Sequence, residues 1–288
     1  MNPEPALQES ELRQPGSVPT SRFFEIDGVR LHVQVTGSGP ALLCVHGTGA
    51  ATPTWRLLLP ELSRHRTIIA PDLPGHGLSS TAAPAATTPA AVARLLAKLL
   101  DALELQAGAA MGHSAGAVVI AQMQLDQLLD ADRLIFLNPA MLTPLGAHWG
   151  SFRMLAGLLA NSTLVTTAVA GLASDQNTVT RLLAGIGTHL DGEGQSAYRR
   201  LFSDPAHVTG TLKLMASWKL ETLASRLSEL DGDVLVISGA RDVAVPQREI
   251  NRLRIRLPQA RYVELAEVGH LAHEEAPERV LELILPVL

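Results

Sequence analysis

Three residues far apart in the chain carry side chains that together could cleave an acyl bond: Ser114, Asp242 and His270. Ser114 lies in Gly112-His113-Ser114-Ala115-Gly116, behind a short apolar run and ahead of a stretch of helix formers. A Gly-x-Ser-x-Gly between strand and helix makes a sharp, strained turn that exposes the hydroxyl at the strand's carboxyl end, and bulkier residues at the glycines would clash. A hydroxyl of ordinary pKa is a weak nucleophile, so it needs a base, and the base needs an orienting acid. The chain order for such a turn is serine, acid, histidine. Asp242 follows the apolar run Val234–Ser238 in Gly239-Ala240-Arg241-Asp242, and His270 follows Arg261–Leu265 in Val268-Gly269-His270. The interval of 28 positions from one to the other leaves room for one helix and one strand, so both are expected on the same sheet edge as Ser114. His46-Gly47-Thr48-Gly49 closes an earlier apolar run, and the backbone amides of Thr48 and Ala115 are the expected donors to a developing oxyanion.

The remaining polar candidates read as structural. His46, His76, His113 and His273 show no His-Glu-x-x-His or other compact ligand spacing, so neither a metal nor another cofactor is expected. His113 is expected to pack and hydrogen-bond beside the nucleophile. Asp72, before a Pro/Gly turn, is expected to cap backbone donors. Cys44, inside an apolar run, reads as a small buried hydrophobe.

The elements that must position these groups alternate. Arg22–Ile26 and Val29–Val35 flank Asp27-Gly28, a hairpin signal. Ala41–Val45, Thr67–Ala70, Gly108–Met111, Leu134–Leu137, Val234–Ser238 and Arg261–Leu265 are apolar runs short enough for strands buried on both faces. Trp55–Leu62, Pro89–Leu103, Ala117 to about Leu129, and Pro277–Ile284 read as helices; in the second, Val92, Leu95, Leu96, Leu99, Leu100 and Leu103 recur at helical spacing. Such alternation implies right-handed crossovers and a mostly parallel central sheet with helices on both faces, an α/β fold. The alternation stops between Leu137 and Val234. The expected organisation is a flexible N-terminal arm over 1–21, a core over 22–138 and 232–288, and an inserted helical cap over 139–231. Met141, Leu142, Leu145, Phe152, Met154, Leu155, Leu212, Leu214, Met215 and Trp218 give that cap an inventory suited to an apolar acyl or alcohol group.

Composition narrows the function further. With 288 residues, 47% hydrophobic and 18% charged, the chain can bury a large core, which argues against disorder. Its net charge of −5 offers no general attraction to a phosphate backbone, so nucleic acid is not an expected partner. One cysteine precludes an intramolecular disulfide and suits a reducing compartment. The polar, proline-bearing start does not read as a secretory signal. The uncharged run Met154–Ser174 is too rich in Asn, Ser, Thr, Ala and Gly for a good spanning helix. It reads as a partly buried lid over an apolar pocket and leaves peripheral contact with a membrane surface open.

From about Phe23 to Leu288 the chain resembles the α/β-hydrolase superfamily. The resemblance rests on Val45-His46-Gly47-Thr48-Gly49, Pro71-Asp72-Leu73-Pro74-Gly75-His76-Gly77, the serine turn, Gly239-Ala240-Arg241-Asp242, and Gly269-His270 with Glu274 and Pro277. Some members place their acid after the strand that here ends in Asn138-Pro139; an amide cannot serve, which strengthens Asp242. Dehalogenases and epoxide hydrolases of this fold carry aspartate where Ser114 stands, so the resemblance implies a serine hydrolase, an esterase first and a carbon–carbon bond hydrolase as an alternative. A narrower resemblance is to the magnesium-chelatase accessory hydrolases of bacteriochlorophyll biosynthesis. It is carried by His46–Thr52 with Trp55-Arg56, Tyr198–Trp218, and Gly269-His270-Leu271-Ala272-His273-Glu274-Glu275. This implies a cytoplasmic protein of photosynthetic pigment assembly that acts on or near magnesium chelatase, without implying a known substrate; a small apolar ester or a tetrapyrrole-related molecule is the expected one. A non-catalytic tetrapyrrole-binding or assembly factor is the alternative of another class.

Overall fold

The computed structural model describes residues 20–142, 149–173 and 175–288. Strands β1 (Thr20–Ile26) and β2 (Val29–Thr36) form a hairpin whose turn residues, Asp27 and Gly28, both have positive φ. Aspartate and glycine tolerate that region, which lets a two-residue turn follow the twist of the strands. Thr20 already pairs with Val35, so the strand takes in the last two residues of the arm expected over 1–21; residues 1–19 lie outside the described ones.

The sheet is completed by β3 (Ala41–Val45), β4 (Thr67–Pro71), β5 (Ala109–His113), β6 (Arg133–Leu137), β7 (Asp233–Gly239) and β8 (Arg261–Leu265). The eight strands run in the order β1-β2-β4-β3-β5-β6-β7-β8. β1–β2 and β2–β4 are antiparallel; the other five pairings are parallel. Every residue of β3, β4 and β5 is buried, as strands covered on both faces must be. Leu43 and Val45 point to one face and Leu42 and Cys44 to the other, the period of two that a strand imposes.

Helices α1 (Leu59–Leu62), α2 (Pro89–Ala102) and α3 (Ala115–Leu125) belong to the first half of the core. Thr88 starts α2 by accepting the Ala91 amide, with Pro89 at the first helical position, where its missing N–H costs nothing. Between β6 and β7 run α4 (Trp149–Ala160), α5 (Thr163–Ala173), α6 (Gln176–Gly185), α7 (Gly192–Phe202), α8 (Pro205–Ser217) and α9 (Glu221–Arg226). Helices α10 (Gln247–Arg256), α11 (Ala272–Glu275) and α12 (Pro277–Ile284) follow. α2, α3 and α10 cover the Leu43 face, while α1 and α12 cover the Cys44 face. Full burial of a side chain such as Leu43 or Ile69 contributes about 1.5–3 kcal/mol, so these two layers supply most of what holds the sheet.

Two helix expectations change. The helix expected over Trp55–Leu62 is a 3₁₀ turn, Thr52–Trp55, followed by the single turn α1. Pro60 has no N–H to give the Arg56 carbonyl, and a helix cannot run through it unbroken. α3 begins at Ala115, directly after the serine, and ends at Leu125 instead of about Leu129, because Gln127 adopts a positive φ. Among the described residues no single helix is long and apolar enough to cross a membrane. Arg153–Ala160 and Thr163–Ala173 pass together on length and composition, but they bend by 97° at their break.

Candidate active site

The turn at Ser114 is built by close backbone packing. A Cβ at Gly116 would lie 2.0 Å from the Val45 carbonyl oxygen, and one at Gly112 would lie 2.5 Å from the Ala117 nitrogen. Neither position can carry a side chain without moving β3 or α3. Ser114 itself has φ +51 and ψ −111, a strained conformation for a residue with a Cβ. Its backbone is pinned on both sides: its N–H donates to the Leu137 carbonyl at 2.9 Å, and its carbonyl accepts the Ala140 amide at 3.2 Å.

The three groups expected to act together meet at the carboxyl ends of β5, β7 and β8. His270 Nε2 is 3.1 Å from Ser114 Oγ, and His270 Nδ1 is 2.8 Å from Asp242 Oδ2. Because Nδ1 faces a carboxylate oxygen, which accepts, Nδ1 is assigned the proton and Nε2 is free to take one from Oγ; Asp242 Oδ1 accepts the Val245 amide at 2.8 Å. All three are at least nine-tenths buried. Thr48 and Ala115 both line the cavity beside Ser114 and His270. Ala115 opens α3, so its amide belongs to the first turn, where no intrahelical acceptor is available. The Ala50 amide closes a turn onto the Gly47 carbonyl at 3.1 Å, and Thr48 stands at the crest of that turn.

Around this line stands a second set of groups, most of which sequence reasoning did not assign. Asn138, buried and at φ +46, donates from Nδ2 to Asp242 Oδ2 at 2.7 Å and to the Gly269 carbonyl at 3.2 Å. It is therefore the donor that holds the carboxylate and the loop of the histidine together. The expectation for His113 is met in geometry: Nε2–H donates to the His270 carbonyl at 2.9 Å. Burial, then the neighbouring His273 and His270, push its pKa well below the ordinary value, so it stays neutral. Glu275 accepts the Gly269 amide, and Thr188 of the inserted segment accepts the Leu271 amide. Asp72 accepts the amides of Thr52 and Leu78 and a hydrogen bond from His32 Nδ1 at 2.7 Å, the capping role read from sequence. Burial opposes its charge, but those hydrogen bonds and His46 hold its carboxyl below the usual range.

A polar cluster joins the inserted helices to this loop. Glu274 Oε1 accepts Thr54 Oγ1 at 2.6 Å and Tyr198 OH at 2.8 Å, while Arg56 pairs with Oε2. Burial raises the Glu274 pKa against the pull of these donors, and burial beside that carboxylate pushes the Tyr198 phenol well above its ordinary range. Thr54 Oγ1 in turn accepts His273 Nε2 at 2.7 Å. Among the described residues no three His, Cys, Asp or Glu side chains converge as a metal ligand set.

Above Ser114 lies a cavity of about 430 Å³. The core supplies its floor, and Leu182, Ile186, Tyr198, Phe202 and Trp218 of the inserted segment supply much of its apolar wall. Of the apolar residues expected to serve the cap, Leu142, Met215 and Trp218 line this cavity. Met141 and Leu214 are instead buried in the main core, and Met154 and Leu155 face solvent. Leu212 lines a neighbouring cavity; Leu145 and the side chain of Phe152 lie outside the described residues.

Residues 40–277 match the family model of the alpha/beta hydrolase fold. The chain is 32% identical over 252 residues to the magnesium-chelatase 30 kDa subunit of Rhodobacter capsulatus, covering 86% of each. It is 26% identical over 272 residues to the 2-hydroxymuconate semialdehyde hydrolase of Pseudomonas sp. strain CF600, covering 89% of each. The fold superposes on an alpha/beta hydrolase fold protein from Burkholderia ambifaria with a TM-score of 0.78 at 21% identity, covering 92% of this chain and 97% of that one.

Proposed function

This chain belongs to the α/β-hydrolase family, and from that premise we propose that it is a serine hydrolase cleaving a carboxylic ester of an apolar substrate through an acyl-enzyme. The observation that carries the reading is the unbroken line from Ser114 Oγ through His270 to Asp242, 3.1 and 2.8 Å, on the floor of an apolar cavity. His270 Nε2 takes the hydroxyl proton as Oγ attacks the ester carbonyl carbon. The bond to Asp242 holds the tautomer and stabilises the imidazolium that forms. The carbonyl oxygen, now anionic, lies against the amides of Thr48 and Ala115, whose dipoles need no reorganisation. The imidazolium then protonates the leaving alcohol oxygen as its bond to carbon breaks. Water, losing a proton to His270, attacks the acyl carbon; collapse returns the proton to Ser114 and releases the acid.

The substrate, in this reading, is a small apolar ester or a tetrapyrrole-related molecule, met in the cytoplasm, and magnesium chelatase is the partner; the name of the Rhodobacter capsulatus relative supports the last of these. A second reading, carbon–carbon bond hydrolysis by the same serine, is supported by the Pseudomonas relative. The test is a fluorophosphonate probe and a short p-nitrophenyl ester offered to wild type and Ser114→Ala. Labelling and turnover are expected in the wild type, with both lost in the variant. Silence from folded wild type overturns the generic-esterase reading, and porphyrin binding indifferent to Ser114 would then favour a carrier.

A further inference from the structure

A second cavity, about 260 Å³, lies beside the first under α5, α6 and α8. Apart from Thr178 and Thr211, every side chain that lines it is aliphatic or aromatic. The two cavities have Leu182, Phe202 and Thr211 in common, so these three side chains are the partition between them. Leu182 is half exposed, and the buried Thr211 hydroxyl has no hydrogen-bond partner. Parting these side chains at Thr211 therefore breaks no hydrogen bond of that hydroxyl.

On the strength of the hydrolase reading above, we infer that the second cavity is a tail subsite, and that the substrate carries an aliphatic chain of medium length whose end it receives. A methylene displaces about as much volume as a liquid water, roughly 30 Å³, so the subsite holds about eight or nine carbons. Apart from the hydroxyls of Thr178 and Thr211 its wall gives a polar tail no partner and no charge: Val165, Val179, Val208 and Leu212 offer only dispersion contacts. Leu172 and Val169 line the same cavity and are exposed on its outer side, so a longer tail leaves through them instead of clashing.

The test is the kcat/KM of wild type, Val208→Phe and Leu182→Ala on p-nitrophenyl butanoate and decanoate. Val208 is buried on α8 and lines only the second cavity, so the added ring fills the subsite. Leu182→Ala widens the passage at a half-exposed position, where folding is little affected. The wild type is expected to prefer decanoate. Val208→Phe should lower the decanoate-to-butanoate ratio at least tenfold, and Leu182→Ala should raise it; opposite signs exclude general damage. Turnover of butanoate with a ratio that neither variant moves overturns the subsite alone. No turnover of either ester overturns the hydrolase reading, and the subsite with it.

Discussion

The carboxyl edge of the sheet and the helical insertion above it are built by opposite means. At the edge, positions are set by backbone and by short polar bonds: Gly116 against β3, Asn138 on Asp242, His113 on the His270 carbonyl. In the insertion, apolar contact dominates, and seven of the ten large hydrophobic residues exposed among the described ones, from Met154 to Leu182, lie there. Chemistry tolerates errors of only about half an ångström, whereas an apolar wall needs volume and shape. The two regions are joined by polar bonds, among them Glu274 with Tyr198, Leu271 with Thr188, Thr87 with Trp218, and His207, which bonds Gly49 and Gly77. The lesson is a division of labour, with a fixed edge for reaction and an adaptable wall for selection.

The largest effect should come from Asp242→Asn. It leaves the shape of the edge intact but favours the wrong tautomer of His270, so ester kcat should fall by roughly 10⁴, as it does when such an acid becomes an amide. A loss under tenfold would break the contrast at its centre. Next comes pH. Burial is the first cause that lowers the pKa of His46, His76, His113, His207 and His273, to about 4 for His207 and about 3 for His273. Each holds a proton less readily when folded than the free side chain does below about 6.5, so the unfolded state binds more protons. Stability should therefore fall as pH drops from about 6.5 towards 4, with the raised Glu274 pKa opposing part of it. Urea midpoints at several pH values check the slope, and a flat profile would sink the claim.

Asn138→Ala should reduce kcat about tenfold to a hundredfold with little change in KM, and cost about 1–3 kcal/mol of stability, because it strips a donor from a buried carboxylate. Tyr198→Phe removes one bond to Glu274 across the junction and should cost about 1–2 kcal/mol, read as a lower urea midpoint at constant slope. Leu164→Ser, on the solvent face of α5, should stay within about 0.5 kcal/mol of wild type. A large loss there would mean that the insertion is as tightly specified as the edge.

The same contrast explains what could be read without coordinates. Ser114, Asp242 and His270 were legible because each follows a short apolar run, and strand ends in a parallel sheet share an edge. Asn138 was legible only as a failed acid; that its amide would hold Asp242 depends on β6 and β7 being neighbours with Leu137 beside Ile237. The Glu274 cluster joins side chains 76 to 220 residues apart, and no local pattern announces it. The break at Pro60 could have been read, since a proline inside a helical pattern is a stop signal. In the insertion, an inventory of apolar residues did not separate those that line the cavity from those, like Met154, that face water. Helical periodicity marks an apolar face but not the surface it meets.

Cys44 makes the two regions separately observable. It is the chain's sole thiol, it lies in β3 between β4 and β5, and burial raises its pKa far above the ordinary range. Folded wild type should thus be silent to a maleimide, and any modification would time the opening of the central strands. A cysteine introduced at Leu164 would react at once on the exposed side of α5. One molecule would then carry two clocks, one for the wall and one for the sheet, distinguishable by rate alone.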